Sequence, residues 1–196
     1  SILILPKWLV VPEQYLDRII IRLDPGCAFG TGSHPTTRLC LEALERNSPL
    51  SLTVADLGCG SGILSLAALK LGADEVFAVD IDSLAVTATK NNFLLNEVNL
   101  NRLNISQGSI DSLELIMKSK QTDLLICNIL ASTIKKLIPN FKNISKFHGK
   151  ALLSGILLDQ VPDLLTYLEL FGWTNIETYE NDGWALLEIS RHRYSN

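Results

Sequence analysis

The sequence predicts a Rossmann-like α/β fold, a mostly parallel seven-stranded sheet with helices on both faces and one antiparallel strand near the C-terminus. Three observations carry this expectation. First, Val54-Ala55-Asp56-Leu57 breaks into Gly58, Gly60 and Gly62, and apolar residues resume at once with Ile63, Leu64, Leu66, Ala67, Ala68 and Leu69. Strand, glycine turn and helix in that order open a nucleotide-binding βαβ unit, where absent side chains let backbone and helix N-terminus approach a ligand. Second, continuously apolar runs recur at 76–79 and 124–127 with helical patterns between them, as in a parallel sheet covered on both faces. Third, the last two apolar runs are joined only by Asn181-Asp182-Gly183, a turn and not a helix, so one of them runs antiparallel.

The composition bounds the function classes. A chain of 196 residues, 47% hydrophobic and 19% charged, can bury a sizeable core in one domain and carries no compositional sign of disorder. Its net charge of −4 leaves no general basic surface, so direct nucleic-acid binding is not expected. Cys27, Cys40, Cys59 and Cys127 form no C-x-x-C pair and none lies near a histidine at ligand spacing. No metal site is therefore expected, and the thiols read as small buried groups in a reducing compartment. No apolar run approaches the ~20 residues of a membrane span, and the N-terminus lacks a signal-peptide plan. These features point to the cytoplasm and away from a membrane. The chain opens at Ser1 and is apolar from Ile2, as a piece of a longer polypeptide would be.

In order along the chain, Ile2-Leu-Ile-Leu5 and 19–23 read as strands around Pro6 and Pro12. They predict a hairpin and linker segment over 1–23 that leads into a catalytic domain over 24–196. Residues 24–37 hold three glycines and two prolines, which forbid regular structure and mark a shaped loop. A helix starts at Pro35, capped by Ser33 or His34, with Leu39, Leu41, Ala43 and Leu44 on its apolar side. After the glycine turn and its helix, closed near Gly72, comes a second buried strand that ends in acid at Asp80. A helix over 83–96 follows, capped by Asp82 with Ser83. Residues 104–107 make a weak third strand and 123–128 a stronger one, followed by a helix that carries Lys135, Lys136 and Lys142. Residues 149–153 form a fifth strand, 160–171 a helix opened by Pro162, and 175–179 with 184–189 the final pair.

The glycine spacing narrows the ligand. A dinucleotide fingerprint ends in glycine or alanine at its sixth position, and here that position is Ile63. This weighs against a nicotinamide cofactor and for S-adenosyl-L-methionine, although the glycines alone could serve only a tight connection. Asp80, 22 positions after Gly58 and at the end of the next strand, can accept both ribose hydroxyls.

Four segments in this order resemble the ribosomal protein L11 methyltransferase family (PrmA). They are Asp24-Pro-Gly-Cys-Ala-Phe-Gly-Thr-Gly-Ser-His-Pro-Thr-Thr37, Asp56-Leu-Gly-Cys-Gly-Ser-Gly62, Val79-Asp-Ile-Asp82 and Asn128-Ile-Leu-Ala131. The resemblance covers essentially the whole chain as the family's catalytic domain, a class I S-adenosylmethionine-dependent methyltransferase. It implies methyl transfer to lysine side-chain and N-terminal amines of a ribosomal protein, L11. It further implies cofactor contacts from Thr37, Gly58, Asp80 and Asn128, with Gly60 in the same turn. The family's separate N-terminal domain, which grips the ribosomal protein, is absent from this sequence, which leaves open another protein lysine substrate or a non-catalytic docking module.

The chemistry of these residues fits the implied roles. Asn128, at the C-terminal end of a central strand, can orient an attacking amine through its amide oxygen; it is a positioner and not a base, and its plainer reading is a cap for the next helix. Phe29, alone among glycines, reads as a lid over the cofactor or as an anchor of the loop. His34 reads as a cap or loop hydrogen bonder ahead of a general base. Gln107, Gly108 and Ser109 stand where an adenine edge would fall. The lysines at 135, 136, 142 and 146 interleave with Ile134, Leu137, Ile138 and Phe141, as on the wet face of an amphipathic helix.

Overall fold

Continuous apolar runs cannot leave either face to water, and in the computed structural model each becomes a strand with helices packed on both sides. The structure describes residues 1–24 and 32–191. In chain order the elements are β1 (Ile2–Pro6), β2 (Ile19–Leu23), α1 (Pro35–Asn47), β3 (Thr53–Leu57), α2 (Ile63–Lys70), β4 (Glu75–Asp80) and α3 (Ser83–Leu95). They continue with β5 (Leu103–Gln107), α4 (Ile110–Met117), β6 (Thr122–Asn128), α5 (Ala131–Ile144), β7 (Ser145–Leu157), α6 (Val161–Leu170), β8 (Trp173–Asn181) and β9 (Trp184–Arg191).

Seven strands form one sheet in the order β5-β4-β3-β6-β7-β9-β8. All pairings from β5 to β7 are parallel, whereas β9 lies antiparallel between β7 and β8. One antiparallel strand near the C-terminus is the expected arrangement. Alternate residues of each strand serve opposite cores. Val54, Val76, Ala78, Leu124, Ile126 and Leu152 pack with α1, α2 and Phe93 of α3. Ala55, Leu57, Phe77, Val79, Leu125 and Cys127 pack with α4, α5 and α6. This alternation puts Asp56, Asp80 and Asn128 on the α1/α2 side, because each falls two residues after a member of that core.

The opening segment differs from the expected hairpin. β1 and β2 pair in parallel, with Ile2 opposite Ile19 and Pro6 opposite Leu23, as a separate two-stranded sheet. Residues 7–18, with a 3₁₀ turn at Glu13–Tyr15, are long enough to carry the chain back to its starting end, which a tight turn cannot do. Asn96, the residue that closes α3, brackets β2 by accepting from Arg22 N–H at 2.8 Å and donating to Arg22 C=O at 2.7 Å. Two further differences lie in the main domain. The sequence pattern does not predict α4, whose apolar residues Ile110, Leu113 and Met117 span only two turns. β7 begins at Ser145 and runs past 153 to Leu157, through exposed Lys146 and Phe147.

Candidate functional site

The C-terminal ends of β3, β4, β6 and β7 surround a cavity of about 560 Å³. That is the size range of small-ligand sites, at the edge where open α/β sheets bind them. Its wall takes Leu57, Gly58 and Gly60 from the end of β3 and the glycine turn, Asp80 and Ile81 from β4, and Gly108 and Ser109 after β5. Asn128, Ile129 and Leu130 follow β6, Thr133 and Leu137 belong to α5, Gly155 lies within β7, Trp184 begins β9, and His34 and Thr36 start α1.

The turn is held from three sides. At Gly58 φ is +86°, and a Cβ there would stand 2.5 Å from Ile129 Cγ2, so a side chain would push directly into the next strand's exit. Asp80 receives Gly60 N–H at 2.9 Å on one carboxylate oxygen and Asp82 N–H at 2.9 Å on the other. Each oxygen keeps a further lone pair for a ligand hydroxyl. From behind, α3 donates the Thr89 hydroxyl to Gly60 C=O at 3.0 Å and the Asn92 amide to Ser61 C=O at 2.9 Å. Asn92 also accepts from Asp24 N–H at 3.0 Å, which ties the start of the 24–37 loop to the turn. Asp82 caps α3 through Leu84 N–H at 2.9 Å, as its place in the sequence predicts.

Beneath the turn lies Asp56, 1% exposed, accepting from the Ser65 hydroxyl of α2 at 2.6 Å. Burial pushes its carboxyl up from 3.8 to about 6; the Ser65 hydrogen bond opposes this and the Asp80 charge adds to it. Cys40, Cys59 and Cys127 are buried free thiols, raised by desolvation first and by Asp56 second, and so are inert.

Asn128 is half-buried in the cavity wall, and its side chain makes no hydrogen bond among the described residues. It does not cap the following helix: the α5 cap is Leu130, with no side-chain bond. Its amide is left to face a ligand. His34 is the α1 N-cap, its Nδ1 accepting from Thr36 N–H at 3.3 Å, which is the capping role expected of it.

The cavity therefore brings together Gly58, Gly60, Asp80, Asn128, Gly108 and Ser109. Thr37 is buried at 1% exposure and stands outside the described wall, where its neighbour Thr36 takes the position. Gln107 is not among the lining residues and donates to Ile81 C=O at 3.0 Å. Phe29 lies outside the described residues. Sequence reasoning did not single out Thr89, Asn92, Gly155 or Trp184. A glycine inside an apolar strand signals a bulge, and β7 does shift register between Ser154 and Ile156. No group of three or more metal-ligating side chains, and no helix long and apolar enough to cross a membrane, occurs among the described residues.

Comparison with known proteins gives concordant results. Residues 1–192 match the family model described as ribosomal protein L11 methyltransferase (PrmA). A protein of that name from Prochlorococcus marinus is 53% identical over 192 residues, covering 98% of this chain and 63% of its own length. One from Parasynechococcus marenigrum is 53% identical over 191 residues, covering 97% and 66%. The chain thus spans about two-thirds or less of the length of these relatives. The crystal structure of a ribosomal protein L11 methylase from Lactobacillus delbrueckii subsp. bulgaricus superposes with a TM-score of 0.88 at 36% identity, covering 98% of this chain and 95% of that one. At 16% identity, SMU.776 complexed with SAH shares the fold alone, with a TM-score of 0.68 over 81% of this chain and 50% of that one.

Proposed function

Because the chain belongs to the ribosomal protein L11 methyltransferase (PrmA) family, we propose that it carries the catalytic domain of an S-adenosyl-L-methionine-dependent protein N-methyltransferase. Its substrate is ribosomal protein L11, methylated on lysine side-chain and N-terminal amines in the cytoplasm. A chain that spans 63% of a relative's length supplies the chemistry, and recognition of the ribosomal protein draws on segments beyond it. The observation that carries this reading is the meeting, in one cavity, of the Asp80-braced glycine turn with the Asn128 amide, unpartnered among the described residues.

The residues present fit the cofactor. The free lone pairs of Asp80 suit vicinal ribose hydroxyls, the bare backbone at Gly58 and Gly60 suits close approach, and Ile81, Gly108 and Ser109 offer a shallow apolar and backbone-lined place for a base. Bound there, S-adenosylmethionine supplies a methyl group already activated by its sulfonium. The protein's work is then alignment, which can account for much of the rate. The Asn128 oxygen accepts from the incoming amine and aims its lone pair. The apolar wall of Leu130 and Leu137 disfavours the ammonium form of a lysine whose free pKa is about 10.4. Phe29 and Thr37 are further proposed cofactor contacts, carried by the 24–37 loop and the start of α1.

Two measurements test the reading. Calorimetry should show S-adenosylmethionine binding to the folded chain. Purified L11 incubated with labelled cofactor should gain label, and Asn128→Ala should lower kcat about a hundredfold. Binding with no transfer to L11, even with an N-terminal domain of a relative restored, leaves a docking module. Label on another protein keeps the chemistry and removes the substrate.

A further inference from the structure

The proposed reaction assigns no role to the indole of Trp184, yet the fold places it with care. Trp184 is the first residue of β9, fixed on one side opposite Leu157 of β7 and on the other opposite Asn181 of β8. It precedes Leu186 of the α1/α2 core by two residues, so it lies on the sheet face that also carries Asn128 and Asp80. The His34 ring meets the indole in an edge arrangement, centroids 5.1 Å apart at 67°, and His34 is itself held by the first turn of α1. The three tryptophans have different fates. Trp8 is 63% exposed and Trp173 1%, while Trp184 alone among them is half-buried with a surface in the cavity.

The cavity's charges complete the observation. Among its described lining residues there is one carboxylate, Asp80, and no lysine or arginine. A pocket with an indole wall and no cationic side chain attracts an ammonium group through the ring's negative face. In the reading above the remaining lone pairs of Asp80 go to the ribose hydroxyls, so the aromatic wall at the β7/β9 end is the part left to receive an acceptor.

We propose that Trp184 is the acceptor-side contact of the site: its ring, braced by His34, seats the amine-bearing side chain beside Asn128 and holds the methylated ammonium after transfer. This rests on the methyltransferase reading above. In each transfer the neutral amine's lone pair forms the nitrogen–carbon bond and the carbon–sulfur bond breaks with its pair going to sulfur, giving the thioether. The new ammonium passes a proton to bulk water at the cavity mouth before it can attack again. Each added methyl makes the cation larger and less hydrated, so the ring holds it better and Asn128 meets the same nitrogen again.

The test compares wild type, Trp184→Phe and Trp184→Leu, with Trp184→Met where leucine does not fold. With L11 as acceptor, Trp184→Leu should raise the acceptor KM about tenfold and shift product toward fewer methyls per amine. It should leave S-adenosylhomocysteine affinity within about threefold, and phenylalanine should restore KM. Independently of turnover, broadening of the tetramethylammonium NMR signal by the S-adenosylhomocysteine-loaded protein should persist in Trp184→Phe and vanish in Trp184→Leu, with sodium chloride as the ionic control. Unchanged acceptor KM and unchanged broadening in Trp184→Leu overturn the proposal. A loss of S-adenosylhomocysteine affinity in that variant also overturns it, by moving the indole to the cofactor side. A wild type that binds S-adenosylhomocysteine but methylates no amine removes the functional reading, and the tetramethylammonium arm still decides what the ring receives.

Discussion

The two halves of the cavity are built on different principles. The half proposed to hold the cofactor comes mainly from one βαβα run, with β3, the glycine turn, α2, β4 and the start of α3 between residues 53 and 92, joined by Gly108 and Ser109 after β5. Its bonds are local in sequence, with Asp80 to Gly60, Thr89 to Gly60 and Asn92 to Ser61 all within about thirty positions. The half proposed to face the acceptor gathers His34, Asn128, Gly155 and Trp184 from four elements, Trp184 arriving because β9 inserts between β7 and β8. On the proposed function, a ligand common to many enzymes is met by a contiguous cassette, and the more particular partner by long-range assembly. Damage to the first half should therefore show in cofactor affinity, and damage to the second in acceptor handling or folding.

The largest expected effect falls on the joint between the halves. Gly155 has φ +83°, and a Cβ there would land on the Ile129 carbonyl, next to Asn128. Gly155→Ala combines left-handed strain with a backbone clash, so it should cost about 3 kcal/mol of stability in chemical denaturation. It should also depress methyl transfer in whatever fraction folds. If Gly155→Ala matches wild type in both, the halves are not coupled through this bulge.

Next comes Asp80→Ala, confined to the cofactor half. It frees the Gly60 and Asp82 amides and deletes the acceptor for ribose hydroxyls, and should weaken S-adenosylmethionine binding about a hundredfold by calorimetry. The acceptor half should be untouched. Retained cofactor affinity would break the assignment of the two halves.

The smallest effect is a pH dependence beneath the turn. The Asp56 carboxyl is raised in the folded protein to about 6, from 3.8. A raised folded-state value means the native state holds the proton more tightly, so the contribution is fully present below about pH 4. It is lost as pH rises through about 6. Relative to Asp56→Asn, wild type should lose on the order of 2 kcal/mol between pH 4 and pH 7 in urea titrations. A constant difference across that range would mean that Asp56 ionises freely in place.

What the sequence made legible follows the same division. The turn, Asp80 and the cap at Asp82 follow from glycine spacing, an apolar run ending in acid and Asx capping, all local signals. Asn128 stood out by its strand-end position and by the resemblance of its tetrad. Trp184 and Gly155 did not, because nothing within several residues of either says that β9 will lie antiparallel beside β7. The parallel pairing of β1 with β2 was hidden likewise, since two apolar runs separated by twelve residues fit a hairpin or a crossover equally. α4 escaped because eight residues give periodicity too little length to register.

The position of β9 also bears on how the chain comes to be folded during synthesis. β5, β4, β3, β6 and β7 can pair as they leave the ribosome, in the order in which their crossovers emerge. β8 pairs only with β9 within the sheet, so it must wait, unpaired, for the strand made after it. The cradle for the proposed cofactor can thus form before the wall for the proposed acceptor, which is the last part of the cavity the nascent chain acquires.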